Sequence, residues 1–270
     1  MKYKLVALDL DGTLTNSKKE ITPYTRQILL QAQEEGIRLV LASGRPTYGV
    51  APLADQLELG KYEGYILSYN GGEIVDWKTR ELMYKNLLDP EVLPYLYRCA
   101  QENDFAIVTY EGKYILTEKP NDAYVLKEAI LNVMQIKPVE NFLKAIKHPV
   151  AKCLITGEPN RLAQLEKKMQ AQLDGKMGVF RSEPYFLELV PRGIDKAESL
   201  SVLLQKLHLT KEELVAIGDG FNDLSMIQYA GLGIAMGNAQ EIVKQHADVI
   251  SLTNDEDGVA YAIKKYVLEA

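Results

Sequence analysis

The sequence predicts an α/β protein: a parallel sheet covered by helices on both faces, interrupted by an inserted α+β domain. Three observations carry this. Short, nearly continuous apolar runs alternate with amphipathic helical patterns over residues 1–83 and again over 191–270. That pattern marks parallel strands buried on both faces. The stretch between them, residues 84–190, carries hairpin signals instead, and hairpins imply antiparallel pairing. The apolar runs of the two outer stretches also stop abruptly at polar turns, most of them containing glycine. In open parallel sheets, ligands bind beyond the carboxyl ends of the strands.

Lys4–Leu8 is a short apolar strand that ends on Asp9-Leu10-Asp11-Gly12-Thr13. Thr22-Pro23 is an N-cap followed by proline at the first helical position. Tyr24, Ile28, Leu29 and Ala32 then share one helical face, and Gly36 closes the helix. Ile37–Ala42 is a second buried strand running into Ser43-Gly44-Arg45-Pro46, and a helix is expected to about Leu59. Tyr65–Ser68 is a third strand, ending at Asn70-Gly71-Gly72.

The middle reads as hairpin 73–85 turning at Lys78-Thr79-Arg80, helix 90–103, hairpin 105–117 turning at Gly112, and a helix from Asn121. Strand 150–156, helix 161–173 and a strand pair over 177–190 follow. Residues 134–148 carry no clear pattern. From Pro191 the outer pattern resumes: helix 195–207 with Lys196 in its first turn, then strand Leu214–Ile217 running into Gly218-Asp219-Gly220-Phe221-Asn222-Asp223. A helix to Ala230, strand 232–236, a helix from Asn238, strand 248–251 and a last helix to about Glu269 complete the expected sheet. The acids of 254–257 read as caps of that last helix.

With 270 residues, 47% hydrophobic and 25% charged, the chain has the composition of an ordinary globular protein of one large or two ordinary domains. A net charge of -6 argues against nucleic acid or an anionic membrane as partner; a phosphorylated small metabolite stays open, because a local metal and a lysine can outweigh the global charge. Cys99 and Cys153 stand alone without metal-ligand spacing, so a reducing, cytoplasmic setting is expected. The run after Lys2 and Lys4 is too short for a secretory leader and is broken by Asp9. No apolar run approaches the roughly 20 residues a membrane span needs. A monomer or homodimer is expected.

The chemistry gathers at the strand ends. Two acids closing a buried strand, Asp9 and Asp11, are costly to bury unless their charge is offset, and Mg²⁺ prefers carboxylate and carbonyl oxygen. Taken alone, residues 9–13 could equally be a polar turn. Asp219, Asn222 and Asp223 close a second strand, where a glycine turn with a helix cap is the plainer alternative. One shared Mg²⁺ accounts for both acid sets. Ser43 and the Gly44 N–H could cradle a phosphate, or could simply be small residues in a turn. Lys196 places a cation at the positive end of a helix, against the dipole. It is either an exposed lysine neutralised by Asp195 or the partner of a phosphate dianion. Together the set suits phosphoryl transfer through a carboxylate nucleophile, in which an aspartyl-phosphate forms and water then splits it.

Asp9-Leu-Asp-Gly-Thr13, Ser43-Gly-Arg45, Asn70-Gly-Gly72, Lys196 and Gly218-Asp-Gly-Phe-Asn-Asp223 resemble, in order and spacing, the signature motifs of the haloacid dehalogenase (HAD) superfamily. The insertion between third strand and lysine is similar to that of the Cof-like subfamily with its C2-type α/β cap, and the likeness runs on through Asp255–Ala260. The resemblance implies a Rossmann-like hydrolase core of residues 1–83 and 191–270, a cap of residues 84–190, and a Mg²⁺-dependent sugar-phosphate phosphatase. It implies that Asp9 is nucleophile and Mg²⁺ ligand. Asp11 is then general acid and base, with its backbone carbonyl on the metal. Asp219 is a further metal ligand, and Asp223 supports the metal from nearby. The Leu10 N–H, Ser43, Gly44, Lys196 and Asn222 hold the phosphate. Gly72 stands where the family commonly has alanine, and Ala197 where it commonly has glycine; neither removes a reacting group. In the cap, Lys113, Arg181 and Tyr185 are candidate substrate contacts. A phosphotransferase or mutase, a phospho-acceptor signalling module and a non-catalytic phosphometabolite-binding regulator share parts of this constellation. The second acid, Asp11, and the large insertion favour turnover.

Overall fold

The structure is a computed structural model describing residues 2–269. It forms two compact units, one holding the chain up to Tyr84 and from Asp195 onward, the other Lys85–Ile194. The fold class is the expected one, α/β with a parallel sheet.

The first unit is built on an eight-stranded sheet in the order Val249–Ile250, Leu232–Ala235, Leu214–Gly218, Leu5–Leu8, Arg38–Ala42, Tyr65–Ser68, Glu73–Asp76, Leu82–Lys85. The first six are parallel, and Glu73–Asp76 turns back antiparallel to Tyr65–Ser68. Leu5–Leu8 lies at the centre, with Leu5 level with both Leu214 and Arg38. Its four side chains are fully buried and divide between the two faces of the sheet. Val6 and Leu8 pack in a core with Ile28, Leu29, Val50 and Ile263. Leu5 and Ala7 pack with Leu200, Leu203 and Met226. Burying a leucine in this way contributes about 1.5–3 kcal/mol, and coverage on both faces explains why these strands do not alternate in polarity.

The helices start and stop for local reasons. Thr22 accepts a hydrogen bond from the Thr25 N–H, and Pro23 opens the helix Pro23–Glu34. Gly36, at φ +92°, ends it: the Ile37 N–H returns to the Ala32 carbonyl and the Gly36 N–H to that of Gln33. The next helix, Thr47–Gln56, stops short of the expected Leu59. Glu58 takes the left-handed conformation (φ +55°), and the Leu59 N–H closes the same motif onto Ala54. Glutamate stands where glycine would have signalled the stop.

The second unit has a six-stranded sheet in the order Met177–Glu183, Phe186–Pro191, Cys153–Thr156, Ala106–Glu111, Tyr114–Thr117, Gln135–Pro138. It is antiparallel except for its last pair. Gln135–Pro138 lies in the stretch whose sequence carries no pattern. It is an edge strand parallel to Tyr114–Thr117, followed by a one-turn helix, Phe142–Ala145, whose buried Phe142 stacks on Tyr97. The acids of 254–257 differ from expectation as well. Glu256 caps the turn at Thr253, but Asp255 accepts from Ser17, and Asp257 from Thr22 and Thr25. Among the described residues no helix is long and apolar enough to cross a membrane.

Candidate active site

Four strands of the first unit end at one edge, and each hands over a polar turn. Asp9 directly follows Leu5–Leu8, and its N–H is held by the Ile217 carbonyl of the neighbouring strand. Gly218 ends the next strand and leads into Asp219 and Asp223. Lys196, the first residue of helix Lys196–Lys206, points inward and is 1% exposed. Asp195 caps that helix by accepting the N–H groups of Ala197 and Glu198. Lys196 is therefore a buried cation, not the exposed neutralised lysine that was its plainer alternative.

The Lys196 Nζ donates to Asp9 Oδ1 at 2.7 Å, Asp223 Oδ1 at 2.5 Å and the Ala42 carbonyl at 2.8 Å. Three donors meet three acceptors, so the ammonium is fully satisfied. The second Asp223 oxygen accepts the N–H groups of Asp219 and Gly220, which fixes the loop that presents Asp219. Thr13 Oγ1 donates to Asp219 Oδ1 at 2.8 Å. Asp9, Asp219 and Asp223 each offer one carboxylate oxygen within 4.8 Å of the others. Three carboxylates thus face one ammonium, so full ionisation would leave two negative charges uncompensated in a largely buried space. Hard oxygen donors with that surplus suit a divalent cation, so the residues present fit a metal.

The electrostatics follow from this imbalance. Burial, then repulsion from Asp223, pushes the Asp9 carboxyl up to about 8 despite Lys196. Burial also raises Asp219, to about 6, against the hydrogen bond from Thr13. Burial works against the Lys196 charge, yet Asp223 and Asp9 outweigh it and raise its pKa. One cation cannot neutralise two carboxylates, so Lys196 stays charged and Asp9 carries the cost.

The Asp11 carboxylate is not part of this cluster. Arg45 grips it with two bonds, Nε to Oδ2 at 2.8 Å and a terminal nitrogen to Oδ1 at 2.6 Å, and Lys19 adds a third at 2.7 Å. Burial alone would raise its pKa, but the Arg45 and Lys19 bonds prevail and hold it below the usual range.

The expected phosphate-holding residues lie at the same edge. Leu10 is fully buried, its carbonyl accepting from Thr13 and Thr15. Ser43 is buried, and its Oγ accepts the Arg45 N–H. Gly44 sits against Asn70, whose amide nitrogen would lie 2.9 Å from any Cβ added there. Asn222 donates to Asn70 Oδ1 at 3.1 Å. The Asn70-Gly71 turn runs through left-handed backbone. Gly71 allows the close contact with Asp195 and Ser199, a Cβ there falling 2.6 Å from Ser199 Oγ.

Sequence reasoning gave no role to Arg45, Thr13, Lys19 or Asn238. Thr13 and Arg45 lie inside the polar turns 9–13 and 43–46. Asn238 follows strand Leu232–Ala235 as a polar residue at a strand's carboxyl end, the signal that found the others. Lys19 had none. In the second unit, Arg181 is paired with Glu166, and Tyr185 stacks on Tyr124 beneath the Lys127 ammonium. Lys113 lies over the Tyr114 ring. Each of these three has a partner within its own unit.

Residues 6–263 match the family model for haloacid dehalogenase-like hydrolases. A crystal structure of a haloacid dehalogenase-like hydrolase from Bacteroides thetaiotaomicron superposes with a TM-score of 0.95 at 61% identity, covering 98% of this chain and 99% of that one. Among curated relatives, the 5-amino-6-(5-phospho-D-ribitylamino)uracil phosphatase YcsE of Bacillus subtilis is 32% identical over 98% of this chain and 96% of its own. The phosphatase YwpJ of the same organism is 30% identical, covering 97% of this chain and 99% of its own. The chain belongs to the haloacid dehalogenase-like hydrolases, in their Cof-like branch. It is an enzyme, a hydrolase of phosphate monoesters.

Proposed function

We propose that this enzyme is a Mg²⁺-dependent phosphatase of small phosphorylated metabolites, sugar phosphates among them, working through an aspartyl-phosphate at Asp9. The observation that carries the reading is the largely buried group of Asp9, Asp219 and Asp223, where Lys196 pairs with Asp9 and Asp223 and full ionisation would leave two negative charges in excess. Asp9 and Asp219 would hold the ion with Asp223 behind them, and the bound Mg²⁺ would neutralise charge on Asp9 and on the phosphate oxygens.

The chain's own groups then have defined tasks. Lys196 holds Asp9 in place and attracts the phosphate dianion. The Asp9 carboxylate attacks phosphorus, and the bond to the ester oxygen breaks. Asp11 gives that oxygen its proton, then takes one from the water that splits the aspartyl-phosphate. The Arg45 and Lys19 contacts hold Asp11 ionised, the form of a general base. To act as acid it must take up a proton and loosen them. Asp11→Asn is expected to lower kcat roughly 10²–10⁴-fold, the usual scale for this role; a wild-type kcat would remove Asp11 from the mechanism. Residues 85–194 are assigned the recognition of the non-phosphate part of the substrate.

The test is phosphate release from a panel of sugar phosphates and p-nitrophenyl phosphate, with Mg²⁺ and with chelator. Mg²⁺-dependent release that discriminates among esters sharing the same phosphate group supports the reading. Equal release with chelator excludes the metal. A flat response across the panel removes the specificity role of residues 85–194.

Stability carries a second signature. In the metal-free protein Asp9 and Asp219 have pKa values above their ordinary ones. A group with a raised folded pKa stabilises fully below its unfolded pKa, and the contribution is lost as pH rises through the folded value. The chelated enzyme should therefore lose stability from about pH 4 to about pH 8, and Mg²⁺, which binds the ionised carboxylates, should raise Tm more at the upper end of that window. A Tm increment independent of pH would contradict this.

A further inference from the structure

We propose that Asn238 is a positioning residue that sets the spacing between the two acid-bearing loops and so tunes metal affinity; the inference rests on the metal reading above. Asn238 lies beyond the strand Leu232–Ala235, and its side-chain hydrogen bonds go to backbone groups, not to Asp9, Asp219, Asp223 or Lys196. Its Nδ2 donates to the Gly12 carbonyl at 2.8 Å, and its Oδ1 accepts the Asn254 N–H at 2.9 Å. The second bond settles which end of the amide faces Gly12, because only the NH₂ can meet a carbonyl.

Gly12 is a sensitive place to hold. It stands between Asp11 and Thr13 at φ +88°, and a Cβ there would fall 2.4 Å from Asp219 Oδ2. The backbone of the first loop therefore rests directly on the Asp219 carboxylate, and the next residue, Thr13, hydrogen-bonds that carboxylate. The segment that carries Asn238 also holds the second loop, since the Gln240 N–H donates to the Asp219 carbonyl at 3.0 Å. Three residues, 238–240, thus fasten the Gly12 carbonyl on one side and the Asp219 carbonyl on the other. The Asn254 side chain adds a bond to the Thr15 carbonyl at 2.9 Å, so the first loop is held at two points along its length.

Magnesium tolerates little departure from octahedral geometry at short bond lengths. Groups behind metal ligands, when removed, typically cost 10–100-fold in metal affinity or activity. Loss of the Asn238 amide frees Gly12 to move and with it the separation of Asp9 from Asp219. The expected effect is on Mg²⁺ binding itself.

The test is titration of wild type, Asn238→Ala and Asn238→Asp with MgCl₂ by calorimetry, with the chelated-state Tm of each as a check of folding. Asn238→Ala should weaken Mg²⁺ binding about tenfold. A folded Asn238→Ala that binds Mg²⁺ as wild type does would overturn the inference. Should Asn238→Ala not fold, Asn238→Asp decides. It keeps the shape and the acceptor for Asn254 but replaces the donor to Gly12 with an oxygen. Its added negative charge would by itself favour a cation, so weaker binding in this variant reports the lost amide bond, and equal or tighter binding overturns the proposal. If wild type itself takes up no Mg²⁺, the metal reading has failed, and that outcome is distinct from a failure of Asn238.

Discussion

Asp9→Asn is expected to reduce phosphate release to background under every condition in which the wild type is active. The substitution is nearly isosteric and keeps an oxygen for Lys196, whose Nζ lies 2.7 Å from Asp9 Oδ1. The side chain is buried behind strand Leu5–Leu8, so the fold gains or loses little volume. What disappears is the negative charge proposed to attack phosphorus, and an amide is a poor nucleophile by comparison. The asparagine variant should also be at least as stable as wild type when metal is chelated, because burial and Asp223 penalise the ionised Asp9. An inactive but no less stable variant separates a chemical role from a structural one. Wild-type turnover by Asp9→Asn, measured as phosphate release, would end the nucleophile assignment.

Lys196→Met should cost both stability and activity. The ammonium is buried and bonded to two carboxylates and a backbone carbonyl. Methionine fills similar space but leaves Asp9 and Asp223 facing each other without a cation. Breaking a buried ion pair by removing one partner typically costs about 3–5 kcal/mol. Part of that should return when Mg²⁺ is added, since the ion supplies the missing positive charge. Chemical denaturation with and without Mg²⁺ measures both parts. A loss below about 1 kcal/mol, the range of exposed pairs, would mean that Lys196 does not hold the acid cluster together electrostatically. Activity should stay low even at saturating Mg²⁺, because no other buried cation bonds Asp9 among the described residues.

The parts of this fold legible in the sequence are those whose signal is local. Leu5–Leu8, Arg38–Ala42 and Leu214–Gly218 are buried on both faces, so hydrophobicity alone marks them. Asp9, Ser43 and Asp219 stand out because packing gives no reason for a polar residue at the end of such a strand. Gly36 stops its helix in the expected way, whereas Glu58 does the same work without glycine's signature. Gln135–Pro138 has little buried surface and pairs parallel at a sheet edge, so neither alternation nor a hairpin turn announces it. The acids at 255 and 257 look like helix caps because their partners, Ser17, Thr22 and Thr25, lie more than two hundred residues away. The grip of Arg45 and Lys19 on Asp11 belongs to the same class: charge is visible in a sequence, but its pairing is not.

The clamps on the first loop have a consequence for the protein's birth. Gly12 and Asn238 are separated by 226 residues. At about 5–20 residues per second of synthesis, the loop bearing Asp9 leaves the ribosome roughly ten to forty-five seconds before the amide that fixes it. The central strand Leu5–Leu8 waits almost as long for Leu214–Gly218, its neighbour on one side. During that interval Asp9 is present without the carboxylates and lysine that gather around it. The acid cluster of the candidate site is therefore completed late in translation, when segments from the two sides of residues 85–194 meet.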